Sequence, residues 1–403
     1  MEEITFSAMI HSPETETTLL RVLADFKAQF RVHVNLQMLE WVEARATLNH
    51  AAMHQQGPDV SEIGTTWIAD QVGMNALRPF TDTEMYSLGG KEAFVPASWQ
   101  TVSLAYDNTP WAIPWLAETY AIHYRKDLLQ QAGVNAETAF QTHQALDDTA
   151  AALAKIGVDV PVELPLSNDR YGTLHALASW VWRRGGNFTS PDGQAMIFDQ
   201  PAALEAMTAY FSLLRYLSPL GRQWMREKGD LSLFIQGKSA ITFGTLNLTL
   251  PRIVMPTEVT QNWAAAPLPS PCFVGGSGLV VWKHSHHERA AVELVRYLTS
   301  AKILPTLTQA MKALPPRLEI LTSPELFTDP ISRQMAEALP NGRTYPTAGL
   351  WGIVEGRLVN ELLRMAEKLL AEPTDDIRTT LQKRISTLAK HLNLSMESLT
   401  PSR

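Results

Sequence analysis

Cysteine is all but missing. Cys272 is the only one in 403 residues, which excludes an internal disulfide and any cysteine-built zinc cluster. Basic charge is also short: 34 Lys and Arg stand against 41 Asp and Glu, a net charge of −7. That balance argues against a protein whose main work is holding nucleic-acid backbone, and no nucleic-acid partner is expected. No run of about 18 apolar residues occurs, so no segment reads as a membrane span. Met1-Glu2-Glu3 is acidic and the apolar stretch at 4–10 is too short for the core of an export signal. Taken literally this reads as cytoplasmic, although a chain that starts after a removed signal reads the same way. Internal repeats and low-complexity segments are lacking too.

The composition that remains is that of a globular protein, with 45% hydrophobic and 19% charged residues, and the length suggests two or three domains. Tryptophan is the less ordinary feature, since 11 Trp exceed 9 Tyr. Ile4, Phe6, Ala8 and Ile10 alternate with Thr5, Ser7 and Met9 and predict a strand over 3–11. Ser12-Pro13 reads as a helix N-cap and N1, followed by Leu19, Val22, Leu23, Phe26 and Phe30 at helical spacing. A strand at 32–39, a helix at 42–56 and a strand at 59–63 follow, before Thr65-Thr66-Trp67 opens another helix. Strands alternating with helices imply βαβ units. The pattern breaks at Asn108-Thr109-Pro110-Trp111, and a strand interrupted by Pro114 runs over 111–124. Residues 127–250 read as mostly helical, most clearly at 201–217. Strand character returns over 273–282, and helices at 288–298, around 358–369 and over 377–392 complete the chain.

Several catalytic readings fail on spacing. Gly237-Lys238-Ser239 invites a phosphate loop, but that motif needs a glycine five residues before the Gly-Lys pair, where Ser232 stands. Gly275-Gly276-Ser277-Gly278 is followed by Leu279 where a nucleophile elbow has its last glycine, and reads as a tight turn into a strand. His284, His286 and His287 read as a solvated helix start, with no further ligands at a zinc spacing. No metal and no cofactor is expected. Acidic residues are too numerous for a glycosidase carboxylate pair to be excluded by counting.

The segment from Trp111 through Pro114, Trp115, Glu118, Tyr120 and Tyr124 to Lys126-Asp127-Leu128-Leu129 resembles the G-x-P…Y-N-K-D-L core of bacterial extracellular solute-binding proteins, the sugar-binding family that includes maltose-binding protein. Gly57-Pro58-Asp59-Val60 with Trp67, the run from Trp180 to Gly186 with Phe188, Phe234…Gly237-Lys238, Pro267…Gly276 and Leu314-Pro315-Pro316-Arg317 resemble further family segments in the same order. The resemblance implies an α/β fold of two lobes, of the type II periplasmic-binding-protein kind, each lobe a mostly parallel sheet flanked by helices and the two joined by three hinge crossovers. One lobe would be 1–111 with 272–314, the other 112–271 with 315–403. It implies the substrate-binding component of an ABC importer: no enzyme, a monomer that captures a mono- or oligosaccharide in the cleft by hinge closure and presents it to membrane permease subunits. The location implied is periplasmic or extracellular, with lipid anchoring left open. A binder of another small polar solute, such as a glycerophosphodiester or an amino-sugar derivative, a carbohydrate-active enzyme and a cytoplasmic sensor or scaffold remain as alternatives.

A sugar offers apolar C–H faces and a polar rim, so its binder wants aromatic platforms and fixed hydrogen-bonding groups. Strand ends face such a site, which singles out His11 and Ser12 after the first strand and Thr66 and Trp67 after the third. Trp111, Trp115, Glu118 and Tyr120 flank the first expected crossover. Glu118 stands four residues after Pro114, like a ligand-contacting glutamate of maltose-binding protein. Trp180 and Trp182, two apart on a helix, point differently. Phe243 and Gly244 match a segment where relatives often carry a tryptophan, here replaced by Leu246. Gly275, Gly276 and Ser277 offer backbone and a hydroxyl, Arg317 ends the Leu-Pro-Pro-Arg match, and Trp351 resembles an aromatic platform near the family's C-terminus. For each of these, packing inside a lobe is the competing role. Trp67 and Trp351 are expected in different lobes, on opposite sides of the ligand.

Overall fold

The computed structural model describes residues 1–105, 107–166, 171–227, 231–249, 255–347, 351–373 and 376–399. The chain forms two compact units, Met1–Thr119 with Val274–Gly352, and Tyr120–Phe273 with Ile353–Arg403.

In the first unit the alternating residues at the amino terminus form β1 (Glu2–Met9), parallel to β2 (Val32–Leu39) along its whole length and to β3 (Val60–Gly64) at Phe6 and Ser7. The helices Thr15–Phe30 and Trp41–His54 make the two crossovers, the long connections that parallel pairing demands. The first helix starts at Thr15, not at Pro13, because Thr15 supplies the hydroxyl that accepts from the Ser12 N–H (2.8 Å). β10 (Gly275–Trp282) runs antiparallel to β3, and on its other side takes β5 (Ile113–Glu118) and the two-residue β4 (Leu77–Arg78), also antiparallel. The sheet is therefore mixed rather than mostly parallel. Strand alternation divides the core. Leu279 and Val281 of β10 join Phe6, Phe26, Trp115 and Leu294 on one face, while Val280 and Trp282 join Ile63, Trp67 and Leu48 on the other.

The second unit carries β6 (Ala121–Arg125), β7 (Val160–Glu163), β8 (Ser239–Gly244) and β9 (Trp263–Pro267) in the order β7-β8-β6-β9. Only the β7–β8 pair is parallel. β7 and β8 lie within the stretch read as mostly helical; each is short and wholly buried, the case in which periodicity is silent. Glu163, at the end of β7, is fully buried and accepts from Ser232 Oγ (2.7 Å) and the amides of Leu233 (3.1 Å) and Phe234 (3.0 Å). The turn before Gly237-Lys238 is thus fastened to a carboxylate, the opposite of a phosphate cradle. His123, in the middle of β6, faces the Gly244 carbonyl at Nε2 (3.1 Å) and accepts from Trp263 Nε1 at Nδ1 (3.0 Å). That pattern fixes a neutral ring with the proton on Nε2, and burial pushes its pKa down to about 4.

The boundaries differ from those expected, for visible reasons. The first passage falls after Thr119 instead of after residue 111, because β5 is paired with β10 from Ile113 to Glu118 with one bulge at Trp115, and the Trp111 amide is held by Val102 O (2.8 Å). The second falls after Phe273, two residues beyond the expected place. The third falls after Gly352 instead of after residue 314. Leu314 exchanges both backbone hydrogen bonds with Ala117 (2.7 and 2.9 Å), and Val95 N donates to Pro316 O (2.8 Å), so the Leu-Pro-Pro-Arg segment is stitched into the first unit.

Candidate functional site

β1 and β3 are parallel neighbours, so their carboxyl ends emerge together. There the fully buried Glu62 accepts from the Met9 amide (2.7 Å) with one oxygen and lies 2.8 Å from His11 Nε2 with the other. Beyond β3 the chain turns at Gly64, and the Thr65 amide donates to Gly276 O (3.1 Å). Gly276 sits at φ +119°, and a Cβ there would stand 2.1 Å from Leu116 O, so only glycine allows this approach. Gly275 is the register partner of Glu118. Strand pairing thereby carries Glu118 to the sheet end that bears Thr65 and Thr66.

A small cleft lies at this end, with a cavity volume of about 10 Å³, room for about one water molecule. Thr65, Thr66 and Ala69 form one wall, Thr101 another, and Thr344, Tyr345, Pro346, Thr347 and Trp351 the third. Among the described residues no charged side chain lines it. The rings of Tyr345 and Trp351 lie 4.6 Å apart at 31°, a paired aromatic surface. Thr101 and Thr347 donate their hydroxyl protons to Ser98 O (2.7 Å) and Gln100 O (2.9 Å), which leaves their lone pairs as acceptors. Trp351 Nε1 is buried without a hydrogen-bond partner among the described residues. An aromatic wall, hydroxyl acceptors and a spare N–H donor suit an uncharged polyhydroxyl group.

The second unit has its own aromatic column. Phe273 stacks on His175 (4.2 Å, 17°) and on Trp182 (6.4 Å, 18°), with Tyr120 tilted against it at 6.3 Å. His175 Nε2 lies 3.0 Å from Oε1 of Glu355, which is fully buried.

Of the residues expected at the ligand, the pocket gathers Thr66 and Trp351. Both belong to the first unit, as does Trp67, which corrects the expectation that Trp67 and Trp351 come from different lobes. Trp67 is buried edge-on against Trp41 (5.6 Å, 69°) in the core. His11 and Glu118 are half-buried at the same sheet end, and Trp111 is half-buried against the core behind it. Ser12 is buried and donates to Ala310 O (2.7 Å); its role is to seat the first helix. Trp115 and Trp180 are fully buried, one on Phe6 and the other between His143 and Phe243. Phe243 itself packs on Tyr210. Gly244 gives its carbonyl to His123. Gly275 and Gly276 are ladder residues, and Ser277 is buried between its partners on β3 and β5. Arg317 is tied to Leu88 O (3.0 Å), Glu319 (2.9 Å) and the face of Phe94 (5.1 Å). For Ser12, Trp67, Trp115, Trp180, Phe243, Gly244, Ser277 and Arg317, the contacts the structure shows are packing or backbone ones within their own unit. Tyr120 and Trp182 are buried but sit on the aromatic column.

The reading missed Glu62, His175, Phe273, Glu355, Tyr345 and the pocket threonines other than Thr66. Glu62 carried a signal, an acid inside an otherwise apolar buried strand, since such a charge demands a partner. The others carried none.

A family model described as "Bacterial extracellular solute-binding protein" matches residues 21–334. The diacetylchitobiose binding protein DasA of Streptomyces coelicolor is 24% identical over 348 residues, 82% of this chain and 77% of that one. The maltotriose-binding protein of Pyrococcus abyssi is 20% identical over 360 residues, 84% of this chain and 71% of that one. The structure of the sugar-binding protein MalE from Xanthomonas citri superposes with a TM-score of 0.79 at 23% identity, covering 99% of this chain and 100% of the other. At that identity the likeness shows the fold, the type II periplasmic-binding-protein architecture of two α/β units.

Proposed function

Because the chain belongs to the bacterial extracellular solute-binding protein family, we propose that it is the substrate-binding component of an ABC importer and that its ligand is a neutral mono- or oligosaccharide. The observation that carries the choice of ligand is the pocket at the end of β3, with its tilted Tyr345–Trp351 pair, its threonine hydroxyls and no charged side chain among the described lining residues. Thr66 and Trp351 contact the ligand in this reading; Glu118 and His11 lie at the same sheet end, and the Arg45–Asp70 pair stands beside Gly352, next to Trp351. Capture proceeds by closure of the two units on the sugar, without bond chemistry, and the loaded form is handed to membrane permease subunits. The protein works as a monomer outside the cytoplasmic membrane. Among the described residues no helix is long and apolar enough to cross a membrane.

The rival solute, a glycerophosphodiester, carries a phosphate that calls for Arg, Lys or a cradle of amides; among the described residues the pocket lining has no cation, and the neighbouring Arg45 is already paired with Asp70 (2.7 Å). A thermal-shift screen of the full chain against maltotriose, diacetylchitobiose and a glycerophosphodiester tests the reading. A ligand at about 100 times its dissociation constant stabilises by roughly 2.7 kcal/mol. We expect a neutral sugar to raise the melting temperature and the phosphodiester to leave it unchanged. A shift by the phosphodiester alone would sink the choice of ligand.

A further inference from the structure

The helix Trp41–His54 holds two histidines four residues apart, His50 and His54, both exposed. Residues at i and i+4 share one helix face with Cβ atoms roughly 5–6 Å apart, the spacing at which paired imidazoles hold zinc in helical metal motifs. Here the two rings are already side by side, with centroids 4.2 Å apart at 42°. Neither imidazole is engaged by a hydrogen bond or ion pair among the described residues. That sets them apart from His11, His123, His175, His284 and His287, each of which spends a ring nitrogen on a protein partner.

The helix is a firm platform for such a pair. Leu48, Ala51 and Ala52 are buried on its inner side, Arg45 is paired with Asp70 (2.7 Å), and Asn49 accepts from Gln71 Nε2 (2.6 Å). Two ligands fixed on a rigid scaffold lose little freedom on binding. None of the residues that line the pocket is on this helix.

We propose that His50 and His54 form a two-point chelate for one divalent transition-metal ion of the imidazole-seeking class, Cu²⁺, Ni²⁺ or Zn²⁺, with Cu²⁺ bound most tightly. No cluster of three or more His, Cys, Asp or Glu able to hold a metal exists among the described residues. The remaining coordination positions therefore go to water, and the site is open and exchangeable, in contrast with the closed four-ligand sites that hold a structural metal.

The experiment is a calorimetric Cu²⁺ titration of the untagged full chain, with sedimentation at saturation. The expected result is one saturable ion per monomer. His50→Ala and His54→Ala should each weaken it on the order of 100-fold, the loss that accompanies conversion of a two-point attachment into a one-point one. Both changes put a good helix former on an exposed face, so the fold is retained. His286→Ala, which removes another exposed imidazole, should bind as the wild type does. Equal binding by the His50 and His54 variants, loss on His286→Ala, absence of saturation at millimolar Cu²⁺, or an ion that bridges two chains would each overturn the proposal.

Discussion

Single side chains separate the tryptophans that pack from the one we propose to bind. Trp115 and Trp180 are fully buried, so truncation to Ala should cost about 3–5 kcal/mol of stability and leave the affinity of the folded protein unchanged. Trp351 lines the pocket yet is only 2% exposed. Trp351→Ala should therefore lower stability as well, but its signature is loss of affinity in the folded variant, by at least roughly tenfold given about 1.5–3 kcal/mol for a large apolar contact. Chemical unfolding and ligand titration on the same three variants distinguish them; normal affinity in folded Trp351→Ala would remove it from the site. His123 makes a second residue-scale prediction. Its pKa falls from 6.5 to about 4 in the native state, so below pH 6.5 the unfolded chain takes up a proton that the native one refuses. Stability from this group is complete above pH 6.5 and is lost as pH falls toward 4, by about 1.4 kcal/mol per pH unit. His123→Asn should be less stable at neutral pH and show a shallower acid slope in urea unfolding. A slope equal to that of the wild type would contradict the assignment.

Elements with a clear period were legible in the sequence. The 288–298 stripe is the helix Glu288–Leu298, and the alternating amino terminus is β1. The two parallel neighbours of β1 follow from the same βαβ reading. What stayed hidden was pairing at a distance. A fully buried strand of four residues, Val160–Glu163, has no period to display, and nothing local announces that β10 runs antiparallel between β3 and β5. The same limit governed the site. Thr66 and Trp351 were named from strand-end logic and resemblance, whereas Tyr345 and the other pocket threonines belong to loops whose convergence is set by tertiary structure. The Gly275-Gly276 pair was legible as a special backbone position, but its cause is contact between strands. Gly276→Ala meets both a positive φ and the Leu116 carbonyl at 2.1 Å. It should destabilise by more than the roughly 1 kcal/mol typical of point changes, with the β10–β5 edge yielding first in hydrogen exchange. Unchanged protection along β5 would refute that account.

On the scale of the whole molecule, family membership and fold stand on the sequence match and on the two α/β units. The ligand class is our reading of one pocket. Two properties make that reading coherent: among the described residues the lining is uncharged, and Trp351 Nε1 is a buried donor without a hydrogen-bond partner beside threonine hydroxyls. A binder returns its ligand, whereas a carbohydrate-active enzyme consumes it, so a single measurement probes the central claim. It is calorimetric titration of the wild type with the sugar that gives the largest thermal shift, followed by chromatography of the recovered ligand. The account predicts saturable binding of one sugar per chain, with the sugar recovered unchanged after prolonged incubation. Cleavage of the sugar, or absence of saturable binding to every neutral sugar alongside tight binding of an anionic solute, would contradict it.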